Sequence, residues 1–319
     1  MFIIKKILDT VFLLRVPLLV PVWTVLILGW ITGSPQARVG ELAGSKTLWI
    51  SILGFSLLVA SIYVVNQIQD VESDRINGKL FILPQKHVSI PAAWTLAALC
   101  TAAGLAIAYT QSIWMFAVFL CGFIVGVLYN LPPAVLKNRA VGGVSANIAG
   151  HGIITFLVGW LAAKSGQNMS ADLFYGGLLS SIAPGFANGA VFLASTIPDA
   201  PGDSQAGKKT FCVTYGARVT AFTATLLCAA ALGFSFFMEN HFWVMALPSA
   251  LSLGIFIKFA VTIKREAAFH SFKWPVVLLS TFVTLFVPVY GLLIIFILVA
   301  SRMYYKWRFN ITYPTFSAK

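Results

Sequence analysis

Apolar residues run through this chain in long, unalternating blocks, and polar residues fall mostly between the blocks. Blocks with neither a period of two nor a polar face read as helices with apolar surroundings on every side. A bilayer core takes roughly 17 to 25 residues to cross. Nine blocks approach or reach that length: 16–33, 47–66, 90–110, 112–130, 142–163, 173–198, 216–237, 241–263 and 275–301. Only Tyr109–Gln111 divides the stretch from 90 to 130, and it reads as a tight hairpin. Lipid offers no hydrogen bonds, so each segment must satisfy its own backbone. A helical bundle does this, whereas a β-barrel needs short alternating strands that this pattern does not supply. The expected fold is all-α, a polytopic membrane bundle of about nine helices in one membrane-embedded domain over 1–319.

Composition strengthens this reading. Of 319 residues 59% are hydrophobic and 10% charged, against about 25% charged in soluble domains. The net charge of +12 does not imply nucleic acid as a partner, because the bases are scattered through short loops. Topology and anionic lipid or phosphate explain it better. With nine crossings, fifteen Lys and Arg lie in the segments on the N-terminal side and three in the opposite loops. That places the N-terminus inside, but it leaves Arg302, Lys306, Arg308 and Lys319 of the tail outside, against the same rule. Cys100, Cys121, Cys212 and Cys228 show no metal-binding spacing and read as small packing residues.

The acids change the picture most. Five of only ten sit in two short segments, Asp70, Glu72 and Asp74 in NQIQDVESDR and Asp199 and Asp203 in STIPDAPGDSQAGKKT. Each follows an apolar run, and four runs lie between them, so both face the same water. This suggests two pseudo-equivalent halves, roughly 16–140 and 141–301. Asn66, Asp70 and Asp74 are spaced i, i+4, i+8 and project from one helical face. Pro198 and Pro201 are expected to interrupt the helix in the second segment, leaving a turn to bring Asp199 and Asp203 together. Carboxylates this close repel unless a cation resolves them, and oxygen-only ligands suit Mg²⁺. Arg75, Lys79 and Lys86 follow the first cluster, and Lys208 and Lys209 the second, as bases for a substrate diphosphate. Inside the apolar runs Asn147, His151 and Asn188 are polar residues suited to a cavity wall.

These segments resemble the UbiA-type superfamily of intramembrane prenyltransferases. NQIQDVESD matches its NxxxDxxxD after the second helix, and DAPGD, continuing through GKKT to YGAR, matches its DxxxD after the sixth. YNLPPAVLK, residues 129 to 137, is similar to a tyrosine–proline–proline–lysine segment of some members. The segment after the first motif departs from the family. INGKLFILPQKHVS stands where an Arg-Pro pair and a Ser-Gly are common.

The resemblance covers about 16 to 300 and implies a nine-helix bundle with a central cavity. Two Mg²⁺ held by the Asp-rich motifs would bind an isoprenyl diphosphate donor, and an aromatic or other lipophilic acceptor would capture its allylic group. Carried over by position, Asn66, Asp70, Asp74, Asp199 and Asp203 are implied as metal ligands, with the four aspartates catalytic. Arg75, Lys79, Tyr129, Lys137 and Lys208 are implied at the diphosphate or in aligning the reacting ends. A lipid or carotenoid acceptor, intramolecular terpene cyclisation and, from another class, a cation-coupled transporter are the alternatives. The expected location is multi-pass in the cell (inner) membrane, with the Asp-rich motifs cytoplasmic.

Overall fold

The computed structural model describes residues 2–41, 43–76 and 82–314. Lys79 therefore lies outside the described residues. Everything substantial is helical. An amphipathic helix α1 (Phe2–Leu13) precedes α2 (Val16–Gly33), α3 (Lys46–Ile76), α4 (Ile90–Gln111) and α5 (Ile113–Asn130). After a short 3-10 turn at Leu136–Asn138 come α6 (Ala140–Asn147), a π-helical segment at Ile148–Ile154 and α7 (Thr155–Ala163), which together form one crossing. The helices α8 (Ala171–Ser180) and α9 (Ile182–Gln205) form the next. The chain ends with α10 (Phe211–Ser235), α11 (Trp243–Thr262), α12 (Arg265–Phe286) and α13 (Pro288–Phe309).

Among the described residues ten segments are long and apolar enough to cross a membrane, one more than the sequence pattern suggested. The run read as 275–301 is two helices, α12 and α13, separated at Val287–Pro288. The tip of this hairpin, Phe286-Val287-Pro288-Val289, carries no polar punctuation, while α12 begins in the charged stretch REAAFHSFK. Ten crossings would return the basic tail to the side of the N-terminus. The contacts agree, because α1 and the end of α13 are joined. The Asp9 carboxylate accepts from Arg308 Nε at 3.0 Å, Arg308 Nη2 at 3.1 Å and Tyr304 OH at 2.6 Å. Phe12 stacks on Tyr304 with ring centroids 3.8 Å apart.

The largely apolar, uncharged α2 is the core of the bundle, with every residue from Val22 to Gly33 buried. It crosses α7 at van der Waals distance because both helices lack a side chain at the contact. A Cβ on Gly29 would strike the Phe156 carbonyl, and one on Gly159 the Leu26 carbonyl. Without a hydrophobic drive between helices in lipid, such small-residue contacts and buried hydrogen bonds hold a bundle together. Thr24 on α2 supplies the latter, with Oγ1 2.8 Å from Ser280 Oγ on α12 and 2.6 Å from Tyr290 OH on α13.

The proline expectation is corrected here. The helix α9 runs without interruption through Pro198 and Pro201 to Gln205. Each proline removes one backbone donor, and the neighbouring bonds suffice to carry the helix onward. Asp199 and Asp203 are therefore one helical turn apart, with Ser195 one turn before them. This repeats the spacing of Asn66, Asp70 and Asp74 on α3.

Candidate active site

The ends of α3 and α9 meet. Lys208, three residues beyond α9, places Nζ 3.4 Å from Asp70 Oδ1. Lys137, held in the 3-10 turn after α5, places Nζ 3.0 Å from Asp70 Oδ2. An isolated parallel bridge between Arg139 and Lys209 ties the two loops together. One carboxylate thus receives two lysines that lie 71 residues apart in the chain. All three side chains are largely shielded, Lys137 the most at 9% exposed. Burial holds the Lys137 amine below the usual lysine range and the charge of Lys208 adds to this, while Asp70 and Asp74 oppose it.

Asp70, Lys137 and Lys208 line a mouth of about 420 Å³, with Asn130, Gly202 and Gln205. Behind it lies a deeper cavity of about 580 Å³. Asn130 belongs to both. It is buried at 1% exposure, accepts from Asn66 Nδ2 at 2.9 Å and donates to the Gly126 carbonyl at 3.1 Å. Asn130 thus stands between the mouth and the chamber, and Asn66 lines the chamber beside it. Below them the walls turn apolar, with Phe55, Leu58 and Val59 from α3 and Val125 from α5.

The chamber also collects Asn66, Tyr129, Asn147, His151, Asn188 and Asp199, all singled out from the sequence. Tyr129 faces Asn147 and lies in the fields of Asp70 and Asp203. His151 stacks on Tyr63 with centroids 5.9 Å apart. It sits in the π-helical segment, a distortion frequent at functional sites. Gly152 beside it lets that segment rest on the Gly185 backbone, where any Cβ would collide. Asp74 acts electrostatically on Lys137, and Asp203 on Tyr129 and Cys212, but neither lines the mouth or the chamber. Arg75 is not gathered in. It is exposed, pairs with Glu72 at 2.6 Å and lines neither space.

Among the lining residues without a role in the sequence reading are three polar ones. Asn130 was visible only as part of YNLPP, Arg15 counted only as a loop charge, and Ser195 carried no signal until α9 proved continuous.

Among the described residues no three acidic, His or Cys side chains stand close enough to hold a metal ion by themselves. The donor set still suits Mg²⁺, which is commonly held by one or two carboxylates together with substrate phosphates. At Asp70 two lysines meet one carboxylate, so the mouth gathers charge of both signs.

Fold and site together define a polytopic α-helical membrane protein whose apolar chamber opens through a mouth of carboxylates, amides and lysines. The chain belongs to the UbiA prenyltransferase family, whose profile matches residues 18–275. Over 224 residues it is 27% identical to a chloroplastic 2-acyl-4-prenylphloroglucinol 6-prenyltransferase from Humulus lupulus, a match covering 67% of this chain and 51% of the relative. It is 25% identical over 234 residues to a homogentisate phytyltransferase from Synechocystis, covering 68% and 75%. The match therefore spans about half the length of the Humulus protein. The fold is similar to that of a UbiA homolog from Archaeoglobus fulgidus solved with GPP and Mg²⁺. That comparison gives a TM-score of 0.67 at 18% identity, over 90% of this chain and 99% of the other. A UbiA homolog from Aeropyrum pernix K1, solved in apo form, gives 0.63 at 14%, over 86% and 96%.

Proposed function

We propose that this protein transfers an isoprenyl group from an isoprenyl diphosphate to an aromatic or quinone-precursor acceptor within the membrane, with Mg²⁺. The observation that carries this reading is the convergence of Lys137 and Lys208 on Asp70 directly above an apolar chamber. Transport of a cation gives no use for two lysines beside the carboxylate. A diphosphate site needs both signs of charge.

In this reading Asn66, Asp70, Asp74, Asp199 and Asp203 hold the metal. When bound, Mg²⁺ neutralises the diphosphate and so favours its departure. Lys137 and Lys208 bracket the mouth and stabilise the oxygen that takes the electron pair of the breaking carbon–oxygen bond. The apolar walls keep water from the allylic cation until a ring carbon of the acceptor captures it and a ring proton leaves. The aromatic faces of Tyr63 and Tyr129 lie in the same chamber and favour a cation near them. Asn147, His151 and Asn188 line the acceptor's side of the space. The two similar acidic segments support an origin in two halves, 16–140 and 141–301, with both segments on the cytoplasmic side.

The test uses purified protein in lipid, labelled geranyl, farnesyl and geranylgeranyl diphosphates, a panel of acceptors, and Mg²⁺ or chelator. Prenylated aromatic product that requires Mg²⁺ is the expected result. Diphosphate release with no acceptor would indicate cyclisation, and ion flux without turnover of any donor would indicate transport.

A further inference from the structure

The outer face of α1 is apolar and open. At about 100° per residue, Ile3, Ile4, Ile7 and Val11 fall within one sector of about 100°. Their exposures run from 41% for Val11 to 71% for Ile3. Asp9, Phe12 and Leu13 lie on the opposite side and are buried. Phe12 and Leu13 belong to a cluster with Val64 of α3, Ala93 and Ala97 of α4 and Tyr304 of α13. Twelve residues reach only about 18 Å, too short to cross a bilayer. The inner face of this short helix is satisfied by the bundle, and its outer stripe needs another cover.

The depth of α1 and the charge around it identify the cover. Along its exposed stripe α13 changes from Phe296 and Val299 to Arg302, Met303, Lys306 and Trp307. Basic and aromatic residues at the end of an apolar stripe mark the level of the headgroups. α1 meets α13 at that level. Lys5 Nζ lies 5.7 Å from the centroid of the Trp307 ring, Asp9 engages Arg308 and Tyr304, and Phe12 stacks on Tyr304. The open face of α1 is therefore continuous with the lipid-facing stripe of α13. Lys5 and Lys6 flank the α1 stripe on either side, and Arg302 and Lys306 stand one turn apart on α13. The two helices contain a single acid, Asp9, and Arg308 takes it. Four further cations are left around the stripe with no further acid from either helix.

We propose that α1 is an interfacial anchor, and that with the end of α13 it forms a binding surface for anionic phospholipid. Ile3, Ile4, Ile7 and Val11 enter the acyl chains just beneath the headgroups. Lys5, Lys6, Arg302 and Lys306 hold the anionic headgroups of the same leaflet. Apolar immersion and attraction to anionic lipid add in such a helix, and each base gains from a negative leaflet. A neutral leaflet covers the stripe but offers the bases much less.

The test uses the full chain, and its readouts do not depend on prenyl transfer. Cys121 is the one exposed cysteine, so a nitroxide is placed through Ile7→Cys in a Cys121→Ala background. In nanodiscs of phosphatidylcholine and phosphatidylglycerol the label should collide more with dissolved oxygen than with a nickel chelate, as an immersed site does. Native mass spectrometry of wild type offered equal amounts of the two lipids reads selectivity. Phosphatidylglycerol should be retained at least about tenfold over phosphatidylcholine. Combining Lys5→Gln, Lys6→Gln, Arg302→Gln and Lys306→Gln should cut that preference at least about fivefold. A label open to the nickel chelate would overturn the proposal, as would equal retention of the two lipids by wild type or an undiminished preference in the combined variant. Spin–spin broadening at position 7 would also overturn it, by placing a second copy of the chain on this face.

Discussion

Asp9 offers a quantitative test of how the two ends of the chain are held together. Its side chain is 2% exposed and its partner Arg308 17%. The carboxylate accepts two hydrogen bonds from the guanidinium and one from Tyr304, all within 3.1 Å. Burial alone would raise its pKa. The bonds from Arg308 and Tyr304 and the charge of Arg308 outweigh burial, so the carboxyl lies below its ordinary value of 3.8. Removing one member of such a pair leaves the other buried and uncompensated, which costs about 3–5 kcal/mol. Arg308 keeps some access to water, so Asp9→Ala should sit near the lower end, about 3 kcal/mol. The double variant with Arg308→Ala should cost less than the two single costs combined, by a coupling of about 1–3 kcal/mol. Equilibrium unfolding in mixed micelles of SDS and neutral detergent measures all four proteins of the cycle. The sign of the pH dependence follows from the depressed pKa. The contribution is complete above the unfolded value, near 3.9, and is lost as pH falls through the folded one. Wild type should therefore lose stability on acidification below about pH 4, and Asp9→Ala should lose less. A single-variant cost under about 0.5 kcal/mol, or no coupling in the cycle, would refute the reasoning.

Other outcomes follow from the same structure. Asp70→Ala and Asp199→Ala should each abolish prenyl transfer while the thermal transition stays within a few degrees of wild type, as read by scanning fluorimetry. Donor affinity should fall at alkaline pH as the Lys137 amine, held below the usual lysine range, loses its proton. Lys137→Arg should bind donor evenly across that window, because a guanidinium does not titrate there. Gly159→Leu would drive a side chain into the Leu26 carbonyl, so it should separate α2 from α7 and lower the yield of folded protein in detergent. With ten crossings, single cysteines placed in the tail and beside Lys209 should react with an impermeant maleimide from the same membrane face.

Much of this architecture was readable from hydropathy, because a segment in lipid advertises its length and its apolar character along the chain. The miscount arose where that signal is silent. Nothing polar marks the tip between α12 and α13, and the first turns of α12 look like a loop because they are charged. The proline argument failed for a different reason. A rule about single backbone bonds gave the wrong answer at Pro198 and Pro201, where a long helix tolerates two missing donors.

The acids were conspicuous because they are rare, and Asn147, His151 and Asn188 because they are polar inside apolar runs. Convergence is another matter. That Lys137 and Lys208 both reach Asp70 depends on how α3, α5 and α9 pack, and no local pattern encodes it. Arg15 was hidden among topological charges, since only the structure shows that it lines the chamber. Arg75 illustrates the converse. Adjacent to the motif in sequence, it is exposed and pairs with Glu72 at the rim of the mouth without lining it.

The central claim is that acidic side chains at the ends of α3 and α9 share one metal–diphosphate assembly. The most direct measurement is an experimental structure with Mn²⁺ in place of Mg²⁺ and geranyl thiodiphosphate, collected for anomalous scattering. The account predicts manganese peaks between Asp70 or Asp74 and Asp199 or Asp203, with the thiodiphosphate against Lys137 and Lys208 and its chain in the deep chamber. Manganese bound by one helix end alone, or thiodiphosphate bound elsewhere on the bundle, would contradict it.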